Sequence, residues 1–543
     1  MSAEGEANAP AGLRDLQEAL RSDLGGLQSS GYVNPTAWRQ SGVAAGVVPL
    51  RTHRCARMTP DRDCSPAPPP RSSGAAPRVA IVGGGPGGLF TAYELQRLAD
   101  RPLEVTLYEA SDRLGGKVQS MRFRSADVRY EAGAAEIYDY SHFGHDPLRE
   151  LVAELGLPVR AMGGSAMIAD GSVIANTDDF RHHMGAHAHA SLLAFDRLAR
   201  DRMTPHEFYA SGDDDQAIAG ITAAAFGTVL GTVDSASARR YVEHLIHSDL
   251  ATEPARTNEA YGLQNYLMND PSYMRLYGIE GGNQRLVDEV AARLACTVRV
   301  GHRVESVGAS PSGGFVLRHS SATGHAQDRH DLVVVALPHD QLHKVTFGGD
   351  RLREAAERHR AHHDHPAHYL RATVLFDRPF WKESMEESFW MLDRFDGCCM
   401  YDESSRNPLA THGILGWLIG GDAARTLAMD TDDEIVRAVL DSLPAFLSAQ
   451  LSAGSARMIE ARVHRWTGAV SALPGGWAPM PIERRHCPDP DGHPGLFMVG
   501  DYLYDSTLNG VLDSAERVAG WIAADLAEGR LPRRHAERSA RDA

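Results

Sequence analysis

Gly83, Gly85 and Gly88 form G-x-G-x-x-G directly after the β-branched run RVAIV and directly before LFTAYELQRLAD, whose apolar residues recur at helical spacing. PLEVTLYEA then reads as a second strand, so the segment beginning at Arg78 is a strand, turn, helix and strand. The three glycines serve different purposes. Gly83 permits the tight turn, Gly85 removes a Cβ where a diphosphate meets the backbone, and Gly88 allows close packing of helix on strand. The helix N-terminus offers N–H groups and positive potential to phosphate. Glu109 closes the second strand 21 residues beyond Gly88, at the spacing of a carboxylate that binds a ribose hydroxyl. These features point to a dinucleotide and leave its identity, NAD or FAD, open.

A chain of 543 residues exceeds one compact core. The β-rich pieces with nucleotide-binding character are far apart in sequence, which predicts interleaved domains. Residues 77–140, 271–345 and 456–530 are assigned to a cofactor domain, and 141–270 and 346–455 to a substrate domain inserted twice. Residues 1–76 end in CSPAPPPRSSGAA and read as an extension without a core, in which Ala11 to Leu24 has helical character; residues 531–543 are a tail. The predicted fold class is α/β, a Rossmann-type, glutathione-reductase-like domain with an interleaved α+β domain.

Fifty-five Lys and Arg against 71 Asp and Glu leave a formal charge of −16, which disfavours nucleic acid and anionic membrane as partners and favours a small organic substrate. The six cysteines form no CxxC pair, and the acidic start lacks the basic region of a signal peptide, so a cytoplasmic setting is expected. Twenty-six histidines include runs at His182–His189 and His359–His368, but no carboxylate or cysteine pattern accompanies them and no metal is assigned.

The continuation Glu109-Ala-Ser-Asp-Arg113-Leu-Gly115-Gly116-Lys117 resembles the fingerprint of the flavin amine oxidase superfamily. The resemblance extends from about Arg78 to Glu528, through Tyr130–Glu136, Gly500-Asp501 and Gly510–Ala515. It implies non-covalent FAD, with Gly83, Gly85, Gly88, Glu109, Arg113, Gly116, Lys117, Val304, Gly500 and Asp501 as its binding residues. Lys117 stands where the family usually has Arg, replacing a bidentate fork by a point charge. No cysteine lies between Trp466 and Trp477, where monoamine oxidases attach flavin covalently. Trp466, Trp477, Tyr502 and Tyr504 are candidates for the pocket wall, with core packing as the alternative.

The resemblance also places the chemistry. Amine oxidases of this family keep a lysine eight residues before the proline of P-F-W; here Pro379-Phe380-Trp381 is preceded at that distance by Arg371. A guanidinium can clamp a carboxylate or stabilise charge on reduced flavin. Glu136 stands where the resemblance implies that L-amino-acid oxidases place a carboxylate-binding Arg; a carboxylate there favours a cationic amine or guanidine, or accepts a proton. Arg371 and Glu136 are therefore the catalytic candidates. The expected activity is oxidation of a C–N bond in an amine or amino acid, by hydride transfer to flavin and with O2 as acceptor. Two alternatives stand beside it: an NADPH-dependent flavin monooxygenase acting on an amino acid, including at nitrogen, and a flavin-free escort protein on the same fold. Oligomeric state, including a homodimer, stays open.

Overall fold

A computed structural model describes residues 76–164, 166–210, 224–385, 387–407, 410–477 and 479–530. Residues 1–75 and 531–543, and with them the expected extension, its helix and the tail, lie outside the described residues.

The glycine motif sits where the sequence predicts, between the strand Arg78–Val82 and the helix Pro86–Leu98. Arg78–Val82 is the centre of a parallel five-stranded sheet in the order Thr297–Arg299, Glu104–Tyr108, Arg78–Val82, Leu332–Val335, Leu496–Met498. Alternate residues of these strands serve opposite faces. Val79, Ile81, Leu107 and Val334 pack against the helices Pro86–Leu98 and Leu508–Glu528. Ala80, Val82, Tyr108 and Val333 pack against a four-stranded sheet containing Arg303–Ala309 and Phe315–Ser321. Both faces are covered, which is why these strands read as near-continuous apolar runs.

A second, seven-stranded sheet runs Met458–Ser471, Pro366–Phe376, Gly413–Gly420, Cys398–Asp402, Phe389–Leu392, Met167–Ala169, Ser172–Ile174. Met458–Ser471, placed with the cofactor segments by sequence, instead pairs antiparallel with Pro366–Phe376. A strand's composition shows that it pairs but not with whom, and its half-buried residues carry no clean alternation. One face of this sheet, with Leu370, Ala372, Val374 and Trp417, packs on the helices Asp432–Asp441 and Ala445–Ser452. The other, with Cys399, Tyr401 and Leu418, meets the helices Thr177–Arg202, Ala236–Leu250 and Glu259–Leu267. Among the described residues no helix is long and apolar enough to cross a membrane, and no group of three His, Cys, Asp or Glu is placed to hold a metal.

Four buried histidines impose a pH dependence on stability. Burial holds the imidazoles of His359, His363, His330 and His486 down to about 3, 2, 4 and 4. The unfolded chain titrates these groups near pH 6.5, so below that pH it binds more protons than the folded one. Their stabilising contribution is complete above about pH 6.5 and is lost as pH falls toward 4 and below, by about 1.4 kcal/mol per pH unit for each histidine. Urea melts of wild type and of His359→Gln between about pH 7 and pH 5 check this, the raised carboxyls cancelling in the comparison: the wild type's advantage shrinks as pH falls, and a constant difference contradicts the assignment.

Candidate active site

A cavity of about 480 Å3 runs from the glycine turn to the inner face of the seven-stranded sheet. Gly83, Gly85, Glu109, Gly116, Lys117, Val304, Gly500 and Asp501 all line it, so the structure gathers eight of the ten cofactor candidates on one wall. Gly83 has φ +110°, and a Cβ there would lie 2.5 Å from the carbonyl oxygen of Ala336. A Cβ on Gly85 would meet nothing nearer than the Cα of Gly116 at 3.9 Å, so it would project into free space. The helix beginning at Pro86 has no side-chain cap, leaving its first N–H groups to a ligand. Glu109 is oriented by the N–H of Gly84 (2.8 Å) on one oxygen and the N–H of Ser111 (2.7 Å) on the other.

Arg113 and Gly88 do not reach the cavity wall. The Arg113 guanidinium donates to the carbonyls of Leu114 and Gly116, 3.1 and 2.6 Å away, and so braces the Gly115-Gly116 turn from behind. A Cβ on Gly88 would fall 1.9 Å from the carbonyl oxygen of Gly83, which fixes its role as helix–strand packing. Lys117 and Asp501 form an ion pair with each other, and the ammonium also donates to the carbonyl of Ala469 at 2.7 Å. Of the aromatic candidates, Trp466 lines the cavity and donates to the carbonyl of Ala132 at 2.7 Å. Trp477 donates to the carbonyl of His362, Tyr502 meets His359 in the core, and Tyr504 lies under Arg485.

The far end is built by strand alternation. Arg371 lies between Leu370 and Ala372, which face the helices Asp432–Asp441 and Ala445–Ser452, so its side chain and that of Tyr369 face the cavity. Arg371 is 1 % exposed and ion-paired with Glu403, itself fully buried. Gly416 makes room: a Cβ there would lie 2.5 Å from Glu403 Oε1. The other Glu403 oxygen accepts from the N–H of Glu131 at 2.8 Å, and Glu131 pairs with Arg406 at 3.1 Å. Burial raises the Glu403 carboxyl, but Arg371 and Arg406 outweigh it and hold it below the usual range. The four groups balance in charge, two guanidinium ions against two carboxylates.

Two further carboxylates face the cavity beside this network. Glu136 lines it with a buried Oε2 that has no hydrogen-bond partner. Burial raises its carboxyl, and Arg371 and Arg406 offset only part of that. Asp249, in the last turn of the helix Ala236–Leu250, lines the same end, with Tyr138, Tyr261 and Tyr369. Burial and then the charge of Glu136 push it up to about 8. Sequence reasoning misses Asp249, Glu403 and the three tyrosines. Tyr138 and Tyr369 lie two residues from Glu136 and Arg371 and share their faces, which is a signal the sequence does carry; Asp249 and Glu403 have no local signal.

A model of flavin-containing amine oxidoreductases matches residues 86–523. The chain belongs to this family. It is 23 % identical over 496 residues to the flavin-dependent L-tryptophan oxidase of Lentzea aerocolonigenes, covering 83 % of this chain and 99 % of that one. A tryptophan 2-monooxygenase of Rhizobium rhizogenes is 52 % identical over 59 residues, 11 % of this chain and 8 % of the relative. The fold is similar to that of wild-type putrescine oxidase bound to putrescine, with TM-score 0.61, 18 % identity, 83 % of this chain and 99 % of that chain covered. Cyclohexylamine oxidase from Brevibacterium oxydans gives TM-score 0.61 and 18 % identity, with 83 % and 100 % covered. This flavin amine oxidoreductase is thus an FAD-dependent enzyme with a Rossmann-type cofactor fold.

Proposed function

We propose that this enzyme oxidises the C–N bond of a small amine that carries no carboxylate, with O2 as the final acceptor. The observation that carries this reading is the charge of the cavity's inner end. Glu136 and Asp249 face it, and Arg371 is committed to Glu403. Of the other lining cations among the described residues, Lys117 is paired with Asp501, while Arg303 and Lys344 stand beside Val304 and Val345 at the other end. A zwitterionic amino acid would bring its carboxylate against two acidic groups with no free cation to receive it; an ammonium ion finds two acceptors. The relatives named for tryptophan take their names from an amino acid; in this chain Glu136 stands where the family resemblance implies a carboxylate-binding Arg for L-amino-acid oxidases.

FAD would be held by Gly83, Gly85, Glu109, Gly116, Lys117, Val304, Gly500 and Asp501, with Arg113 bracing the turn; when bound it supplies a two-electron acceptor for the hydrogen on the carbon next to nitrogen. The protein's share is to orient the amine. Glu136 Oε2 accepts from the ammonium, Tyr138, Tyr261 and Tyr369 form a wall that excludes water, and the Arg371–Glu403 pair keeps the Glu136 side fixed. The same reading divides the chain into a cofactor part around the parallel sheet and a substrate part around the seven-stranded sheet, with Met458–Ser471 in the latter.

Anaerobic mixing tests the reading. Benzylamine, tryptamine or 1,4-diaminobutane bleaches the flavin absorbance in the absence of NADPH. Bleaching by NADPH and by none of the amines would replace the oxidase with the monooxygenase.

A further inference from the structure

Glu136 explains how an ammonium is received, but C–H oxidation requires the nitrogen lone pair and hence loss of a proton from the ammonium. We propose that Asp249 is the catalytic residue that accepts this proton, delivering the amine neutral; the inference rests on the amine reading above. The step breaks one N–H bond and forms one O–H bond, converting R–NH3+ and a carboxylate into R–NH2 and a carboxylic acid, with no electrons exchanged.

Position singles out Asp249. Its carboxylate lines the cavity end shared with Glu136, and no described residue donates a hydrogen bond to it. Tyr369, in the same part of the cavity wall, spends its hydroxyl on the backbone carbonyl of Asp249 at 3.0 Å. The backbone at this point is held firmly: the helix ends in left-handed Ala251, whose carbonyl accepts from the N–H of His368 at 3.0 Å. Asp249 also sits in the last helical turn, where the macrodipole disfavours an anion.

The titratable groups around it are Glu136 from the turn before the strand Ile137–Asp139, Tyr138 on that strand, Tyr261 on the helix Glu259–Leu267, Tyr369 on the strand Pro366–Phe376, and Cys399 and Tyr401 on the strand Cys398–Asp402. Burial raises every one of the phenols and the thiol, so they stay neutral at working pH and leave Glu136 as the charge that Asp249 faces. Two carboxylates in one dry site hold a single proton far more readily than none. An alkylammonium ion loses its proton near pH 10.4. Passing it to an ordinary carboxylate is uphill by about a millionfold, whereas passing it to a group pushed up to about 8 is uphill by only a few hundredfold. Burial raises Glu136 as well, but Arg371 and Arg406 offset part of that, whereas no guanidinium offsets the burial of Asp249.

Asp249→Asn is the test, with benzylamine, tryptamine and 1,4-diaminobutane as substrates of the FAD-loaded enzyme. At about pH 7.5 kcat/KM falls by about 100-fold, and at about pH 10, where amine arrives unprotonated, the deficit shrinks to a few-fold. A purely structural role predicts the same loss at both pH values; that result, or a loss of under about twofold at the lower pH, overturns the proposal. A second measurement needs no variant. The wild-type kcat/KM for benzylamine rises through an ionisation near about pH 8, that of Asp249, below the amine's own ionisation. A profile set by the ionisation of the amine alone overturns the proposal. If amino acids and no amine bleach the flavin, the amine reading itself fails, a result distinct from amines that bleach normally in both enzymes.

Discussion

Replacing Arg371 with methionine lowers the unfolding free energy by about 3–5 kcal/mol, among the larger effects of a single substitution. The loss comes from what is left behind. Glu403 is fully buried, and its second oxygen is already occupied by the N–H of Glu131. Without the guanidinium it must either stay charged in a low-dielectric interior or take up a proton that it does not hold in the native protein. Removing both charges avoids the penalty, so Arg371→Met with Glu403→Gln recovers most of the stability, and the double-mutant cycle gives a coupling of several kcal/mol. Urea unfolding of the four proteins decides it. If Arg371→Met alone is as stable as wild type, Arg371 is not the structural partner of Glu403 and is free to clamp a substrate carboxylate.

Two glycines three residues apart separate cofactor binding from folding. Gly88→Ala forces a Cβ to within 1.9 Å of a backbone oxygen that cannot retreat, so the helix must leave the strand; the apoprotein loses at least about 3 kcal/mol. Gly85→Ala does something different. Gly85 has φ −75°, which alanine adopts freely, and the added Cβ enters the space facing the ligand. Apoprotein stability changes by less than about 0.5 kcal/mol, while FAD affinity falls at least tenfold, about 1.4 kcal/mol. Unfolding of the apoproteins and fluorescence titration with FAD report the two quantities separately. Equal effects of both substitutions on both readouts would remove the distinction between a packing glycine and a ligand glycine.

The same contrast shows what a sequence can carry. The unit from Arg78 to Glu109 is legible because everything that defines it is near in the chain: the turn glycines, the helix they open and the carboxylate on the next strand. Arg371 is marked by its distance to Pro379, and Glu136 by its place after the Tyr130–Ala135 segment, but their electrostatic settings are not. Arg371 reads as a free cation until Glu403, just beyond a neighbouring pair of strands, is brought against it. Arg113 reads as a ligand-facing charge until its guanidinium is seen folded onto the carbonyls of its own turn. Asp249 sits near the end of an ordinary amphipathic helix, and its character comes from burial and then from the charge of Glu136, which is 113 residues away in sequence. The partner of Met458–Ser471 is not legible in the sequence because its pairing with Pro366–Phe376 spans almost a hundred residues. In each case the missing information is long-range and electrostatic or topological rather than local.

Tryptamine and L-tryptophan differ only in the carboxylate, and the ratio of their kcat/KM values tests the central claim most directly. The acidic inner end formed by Glu136 and Asp249, with Arg371 held by Glu403, predicts that tryptamine is preferred by at least about 100-fold. A preference for L-tryptophan would contradict it and would return Arg371 to the role of carboxylate ligand.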